Sequence, residues 1–234
     1  MIVVTYEEYK EKEEKRLSIV IRHLENGVDF EDIHNVYIDE SVRIDPGVYI
    51  GPCVTLKGET TIGAGTCIFQ NSRIVDSVIG ENVEIQSSFI NRSRIGDGSE
   101  IGPFAYRRPD SNIGQNCKIG DFVEVKNSSF GDGSKSAHLT YIGDSDIGKD
   151  VNLGCGIVFV NYDGTRKTRS TVGDDVFIGC NTNLISPVTV GDGAYIAAGS
   201  TVTRDVPEDA LCVARAKQKN IKGWASRAGL YRKK

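Results

Sequence analysis

The chain has 234 residues, a formal net charge of −4 and six cysteines, enough for one large domain or two small ones around a buried core. That charge gives no overall reason to expect nucleic acid or an anionic membrane as partner, and no apolar run reaches the length needed to cross a bilayer. The start, MIVVTYEEYKEKEEK, lacks the basic-then-apolar order of a secretory signal, and Cys53, Cys67, Cys117, Cys155, Cys180 and Cys212 show neither CxxC nor metal-ligand spacing, so a cytoplasmic protein with reduced thiols and no metal site is expected.

Thr5 and Glu8 form a capping-box pattern. Tyr6, Tyr9, Leu17, Val20, Ile21 and Leu24 fall near helical spacing, and Gly27 is a natural stop. An amphipathic helix from Thr5 to about Glu25 is therefore expected, inside an N-terminal segment of residues 1–35 that needs a surface to pack against.

From Val36 the apolar period changes to six. Ile38, Ile44, Ile50, Leu56, Ile62, Ile68 and Ile74 are in register, and after some steps of five the pattern resumes at Ile95 and Ile101, at Ile113, Ile119 and Val125, and at Ile147 and Leu153. It closes with Val172, Ile178, Leu184, Val190, Ile196 and Val202. Six fits neither a helix nor a long alternating strand. It fits short strands that each turn one aliphatic side chain inward, with Gly, Asn and Asp at sharp corners. Three such strands make a coil of about 18 residues, which stacks Ile38 beneath Leu56 and Leu56 beneath Ile74, with coils about 4.8 Å apart. The fold expected over residues 36–206 is an all-β, parallel β-helix of roughly nine coils. Open solenoid ends invite pairing unless covered, a task for the helix at one end and for the extension 207–234 at the other. From Ala210 to Lys234 there are eight Lys or Arg and no Asp or Glu, either a solvated tail or an arm that meets phosphates.

The hexad is interrupted at 102–112, 130–141 and 159–171, where loops are expected to build the cleft that a smooth prism lacks. Between Phe122 and Lys167 stands His138, the only histidine beyond position 34, among Lys126, Tyr141, Asn152, Asn161, Tyr162 and Lys167.

The run YRRP…IGDFVEVKNSSFGDGSKSAHLTYIGDSDIG…NLGCG…NYDG, continued in DDVFIGCNTNLISPVTVG, resembles the acetyltransferase half of the bacterial bifunctional N-acetylglucosamine-1-phosphate uridyltransferase/glucosamine-1-phosphate N-acetyltransferase. HLTYIGD and NYDG at this separation are far more specific than the hexad, which many acyltransferases share. The resemblance implies a left-handed winding and a homotrimer. It also implies acetyl transfer from acetyl-CoA to the amine of glucosamine 1-phosphate, giving N-acetylglucosamine 1-phosphate, a precursor of UDP-N-acetylglucosamine and peptidoglycan. In that family a uridyltransferase half precedes the solenoid. Here about 35 residues precede it, with no Gly-rich loop, so no uridyltransferase activity is expected of them.

Residue by residue, the resemblance makes His138 the general base and Glu124 the carboxylate that orients it. A protonated amine must lose a proton before it attacks, and an imidazole with a pKa near 6.5 suits that step. Arg108, Lys126 and Lys167 would receive the sugar phosphate through charge-assisted contacts. Tyr141, Asn152 and Asn161 would contact phosphate, sugar or amine, and Tyr162 would lie beside the acetyl group. Cys155, Cys180, Ala198 and Arg215 would meet acetyl-CoA, Cys155 through its backbone N–H at the thioester oxygen. Arg215, with Lys217 and Lys219, suits the coenzyme's phosphates. Cys155 and Cys180 stand where the family commonly has alanine and serine. Two other readings keep the fold: an acetyltransferase for a different amino sugar or amino-sugar nucleotide, and a non-catalytic trimeric solenoid that binds sugar phosphate. A zinc enzyme on this repeat would need about three histidine ligands, against His138 in the repeat and His34 at its edge.

Overall fold

The computed structural model describes residues 5–230. The chain opens with α1, Tyr6–Glu25, whose start is fixed by a reciprocal cap: Thr5 Oγ1 accepts the Glu8 N–H at 3.2 Å and Glu8 Oε2 accepts the Thr5 N–H at 2.7 Å. The helix differs in part from the sequence expectation in the face it buries. Ile19, Val20 and His23 are covered, while Tyr6, Tyr9, Ile21 and Leu24 are exposed. The reason lies in how the helix is held. Its C-terminal half lies on the first coil, where Arg16 donates to the Val36 carbonyl at 2.9 Å, and the charge-rich N-terminal half has no coil beneath it to cover its tyrosines.

Burying His23 has a pH consequence. Its Nε2 has no hydrogen-bond partner among the described residues, and desolvation, then the adjacent Arg22 charge, lower its pKa. The folded chain keeps this ring neutral where the unfolded chain takes up a proton. Its contribution to stability is therefore complete above the unfolded value near 6.5 and lost as pH falls through the depressed folded value. The His23→Leu variant should lose this component, so its Tm should fall less than the wild type's between about pH 8 and 5. An unchanged slope in thermal unfolding scans would remove His23 as the titrating group.

Beyond α1 the backbone winds through three parallel sheets of 11, 10 and 9 strands. Sheet 1 runs from Asp29–Phe30 to Leu211–Cys212, sheet 2 from Tyr37–Ile38 to Thr201–Val202, and sheet 3 from Arg43–Ile44 to Thr189–Val190. The expected stack is present: Ile38 pairs with Leu56 and Leu56 with Ile74. The segment after Pro207 contributes a further strand, Leu211–Cys212 on Tyr195–Ile196. Inside the prism the inward aliphatics form one continuous core. At the corners buried hydroxyls close the ladder; Ser134 Oγ, for example, donates to the Gly148 carbonyl at 2.7 Å and accepts the Val151 N–H at 2.9 Å.

Most corner residues at positive φ are Gly, Asn or Asp, which tolerate it best. One corner departs. Phe104, Phe122 and Leu139 hold φ of 57°, 55° and 50°, and all three are exposed. The two phenyl rings stack at 5.5 Å.

Two of the three expected interruptions are not loops. The hexad continues through 102–112 and 130–141, with Arg107 and Ser136 in the inward positions. Arg107, between Ile90 and Val125 on its sheet, is wholly buried, and its three guanidinium nitrogens have no partner among the described residues. Burial pushes its pKa down to about 9. Ser136 Oγ is likewise unpartnered. The third interruption is a true excursion, between Val158–Val160 and Ser170–Val172, pinned by an antiparallel bridge from Tyr162 to Lys167. No described helix is long and apolar enough to cross a membrane.

Candidate functional site

Four strands of sheet 2 stack in the order Tyr106–Arg107, Glu124–Lys126, Tyr141–Gly143 and Val158–Val160, and the excursion leaves from the last of them. Because residues two apart share a face, Glu124 and Lys126 both point outward, and the register sets Tyr141 beside Glu124. Arg108 Nη1 donates to Glu124 Oε1 at 2.9 Å. The excursion turns tightly, Asp163 Oδ1 accepting the Thr165 and Arg166 N–H groups at 2.8 Å each, and returns Lys167 beside Lys126.

That approach sets the electrostatics of the face. The neighbouring Lys167 is the largest cause of a lowered pKa at Lys126, desolvation adds to it, Arg108 contributes in the same direction and Asp144 opposes it. Neither ammonium belongs to an ion pair among the described residues. Two adjacent ammoniums, with the nearby Asp144 carboxylate already accepting from Asn127 and Asn161, form a place for an anion. Beside them Asn161 is buried, its amide donating to the Asp144 carboxylate and lying 3.5 Å from the Tyr141 hydroxyl. Asp144 also accepts from Asn127 at 2.6 Å. Tyr162 is exposed and donates to the Gly164 carbonyl at 2.7 Å.

His138 stands at the corner between sheets 1 and 2, with 58% of its side chain exposed, and its Nδ1 is 3.8 Å from Asp121 Oδ2. The two are register partners on successive coils. The expected pairing of Glu124 with His138 is not made within the chain. Glu124 belongs to Arg108, whose guanidinium is the nearer and stronger partner, and Asp121 takes the place beside the imidazole. The signal for Asp121 was present, since it precedes His138 by one coil of 17 residues in the same hexad phase. Asp144 was also missed; it shares no motif position with a catalytic group and is identified by its contacts alone.

The corner that carries His138 continues as a column. The Gly156 N–H donates to the His138 carbonyl at 3.3 Å, the Asn181 N–H to that of Cys155 at 2.8 Å and the Gly199 N–H to that of Cys180 at 2.8 Å. His138, Cys155, Cys180 and Ala198 are therefore successive rungs. Arg215 closes the column, its Cδ lying 4.0 Å from the point where a Cβ on Gly199 would stand. Asn152 is exposed on sheet 1 between Lys135 and Phe177, on a different face from the cations. One chain thus divides the expected residues. Arg108, Glu124, Lys126, Tyr141, Asn161 and Lys167 meet on sheet 2, the column occupies the corner, and Asn152 lies beyond it. Among the described residues no group of three or more His, Cys, Asp or Glu is arranged to hold a metal.

Residues 169–204 match the bacterial transferase hexapeptide (six repeats) family and residues 33–108 the GMPPB C-terminal domain. The Bifunctional protein GlmU of Clostridium beijerinckii is 54% identical over 212 residues, covering 91% of this chain and 47% of the relative. That of Alkaliphilus metalliredigens is 47% identical over 234 residues, covering 100% of this chain and 51% of the relative. Among solved structures, the UDP-N-acetylglucosamine acyltransferase of Francisella novicida superposes with a TM-score of 0.46 at 20% identity, covering 86% of this chain and 73% of that one. The chain spans about half the length of the curated relatives it matches. It is a hexapeptide-repeat protein, homologous to the C-terminal half of the bifunctional GlmU proteins.

Proposed function

We propose that the chain is an acyltransferase that moves acetyl from acetyl-CoA to the amine of glucosamine 1-phosphate, acting in the cytoplasm. The observation that carries this reading is the adjacent pair Lys126 and Lys167, neither in an ion pair among the described residues, with Arg108 near enough to act on Lys126, on the sheet that leads to the corner of an exposed imidazole. A phosphate on sheet 2 would gain charge-assisted contacts from both ammoniums and would compete with Glu124 for Arg108. Held there, the sugar would extend its amine toward the corner.

The remaining residues fit an order of steps. His138 Nε2 takes the proton of the attacking amine, while the Asp121 carboxylate, 3.8 Å from Nδ1, steadies the imidazolium that forms. The Cys155 N–H makes no hydrogen bond among the described residues, which suits it to the oxyanion of the tetrahedral intermediate. Collapse of that intermediate expels the coenzyme thiolate, which takes up a proton. Arg215 at the end of the column suits a coenzyme phosphate. Asn152 lies on another face from the cations, so a neighbouring copy supplying its sheet 1 corner to this chain's sheet 2 would complete the set, in keeping with a homotrimer.

The direct test is thiol release from acetyl-CoA in the presence of glucosamine 1-phosphate, with galactosamine 1-phosphate and glucosamine as comparisons. Binding of the sugar phosphate without turnover would leave a non-catalytic solenoid. Lys126→Ala should raise KM for glucosamine 1-phosphate about 10- to 100-fold, the loss of one charged contact of about 1.5–3 kcal/mol. It should leave the weak reaction of phosphate-free glucosamine unchanged, and an equal loss for both acceptors would place Lys126 elsewhere than at the phosphate.

A further inference from the structure

Cys155 and Cys180 differ from the other thiols in being neighbours. Cys117, by contrast, is sealed in the wall, its Sγ donating to the Gly131 carbonyl at 3.2 Å and the Gln115 carbonyl at 3.4 Å, with burial pushing its pKa up to about 11. Cys180 is exposed and Cys155 half-buried. The parallel pairing of Leu153 with Ile178 continues through the corner in the Asn181-to-Cys155 hydrogen bond. That register makes the two cysteines direct neighbours on successive coils. Such neighbours stand about 4.8 Å apart, inside the Cα separation of about 4.4–6.8 Å that a disulfide requires. The Cys180 sulfur lies 3.0 Å from where a Cβ on Gly154 would be, over the residue that precedes Cys155 on the neighbouring coil.

We propose that Cys155 and Cys180 are a redox-active thiol pair, a modification site that closes to an intramolecular disulfide on meeting a low-molecular-weight disulfide. The exposed Cys180 thiolate attacks one sulfur of the reagent, forming a mixed disulfide and expelling one reagent thiolate. The Cys155 thiolate then attacks the Cys180 sulfur, forming the internal bond and expelling the second. Each cysteine gives up its proton and together they give up two electrons, while the reagent disulfide is reduced to two thiols. The bond stands on the rung directly after His138 and changes the backbone there, the same backbone that offers the Cys155 N–H. Its effect on turnover rests on the acetyltransferase reading; its formation does not.

The test treats the full chain with oxidised glutathione, blocks remaining thiols and maps peptides by mass spectrometry, with thiol release measured before and after dithiothreitol. The expected result is one linked peptide pair joining Cys155 to Cys180, an intact mass lower by two hydrogens, and turnover that drops at least about tenfold and returns on reduction. Cys180→Ser should give no linked pair and the same turnover before and after treatment, whatever its own rate. Separate glutathione adducts on the two cysteines, linkage between chains only, or no reaction would each overturn the proposal. A linked pair in a chain that shows no turnover in either state would remove the acetyltransferase reading and leave the thiol pair standing. Turnover without linkage would do the reverse.

Discussion

His138→Ala should lower kcat for glucosamine 1-phosphate by about 10²-fold or more, with little change in KM for either substrate. The side chain is exposed, is held only by Asp121 at 3.8 Å, and takes no part in the core, so its loss should leave folding intact. Its worth lies in accepting a proton as the amine attacks, an interaction made in the transition state and absent from the ground state. The split between kcat and KM therefore separates a base from a binding group. Circular dichroism and solution mass identical to wild type would tie any loss to chemistry. A variant with unchanged kcat would remove His138 from the reaction and with it the reason for the corner column.

Arg107→Leu should make the protein more stable. In the wild type a guanidinium occupies an inward position between Ile90 and Val125 with no partner among the described residues, where its neighbours in the stack are aliphatic. Replacing buried charge by a well-packed apolar side chain commonly stabilises by about 1–4 kcal/mol. At about 2–4 °C for each kcal/mol in a chain of this size, Tm should rise by several degrees. Arg107→Ala should gain less, because the removed volume leaves a cavity. Thermal unfolding of the three proteins side by side decides the matter. A leucine variant less stable than wild type would mean that the guanidinium satisfies its donors inside the prism.

What could be read from the residues follows from what the hexad measures. An inward side chain must be aliphatic to fill the prism, so Ile38, Leu56 and Ile74 announce both the coil and its register before any coordinates. The cap at Thr5 and Glu8 was equally legible, because it depends on residues three apart. The helix face was not. Periodicity marks one broad apolar face on α1, and only the contact with the first coil decides that Val20 is buried with Ile19 and His23 while Tyr6, Tyr9, Ile21 and Leu24 stay exposed. Arg107 and Ser136 hid the continuing coil for a related reason: a search for aliphatics takes a polar residue in phase as a gap. The pairing of Glu124 was out of reach because a face can be inferred from spacing, whereas the competition between Arg108 and His138 for one carboxylate depends on atomic distance.

A solenoid of this kind has no long-range wiring: each coil is bonded to the one before and the one after. The terminal coils, one covered by α1 and the other by the strand Leu211–Cys212, can therefore fray while the middle of the stack stays wound. The cations, the imidazole and the two thiols sit in consecutive coils within the stack, with Tyr195–Ile196 and Leu211–Cys212 still following on sheet 1 beyond Cys180. Opening of either end therefore reaches other strands before it reaches them.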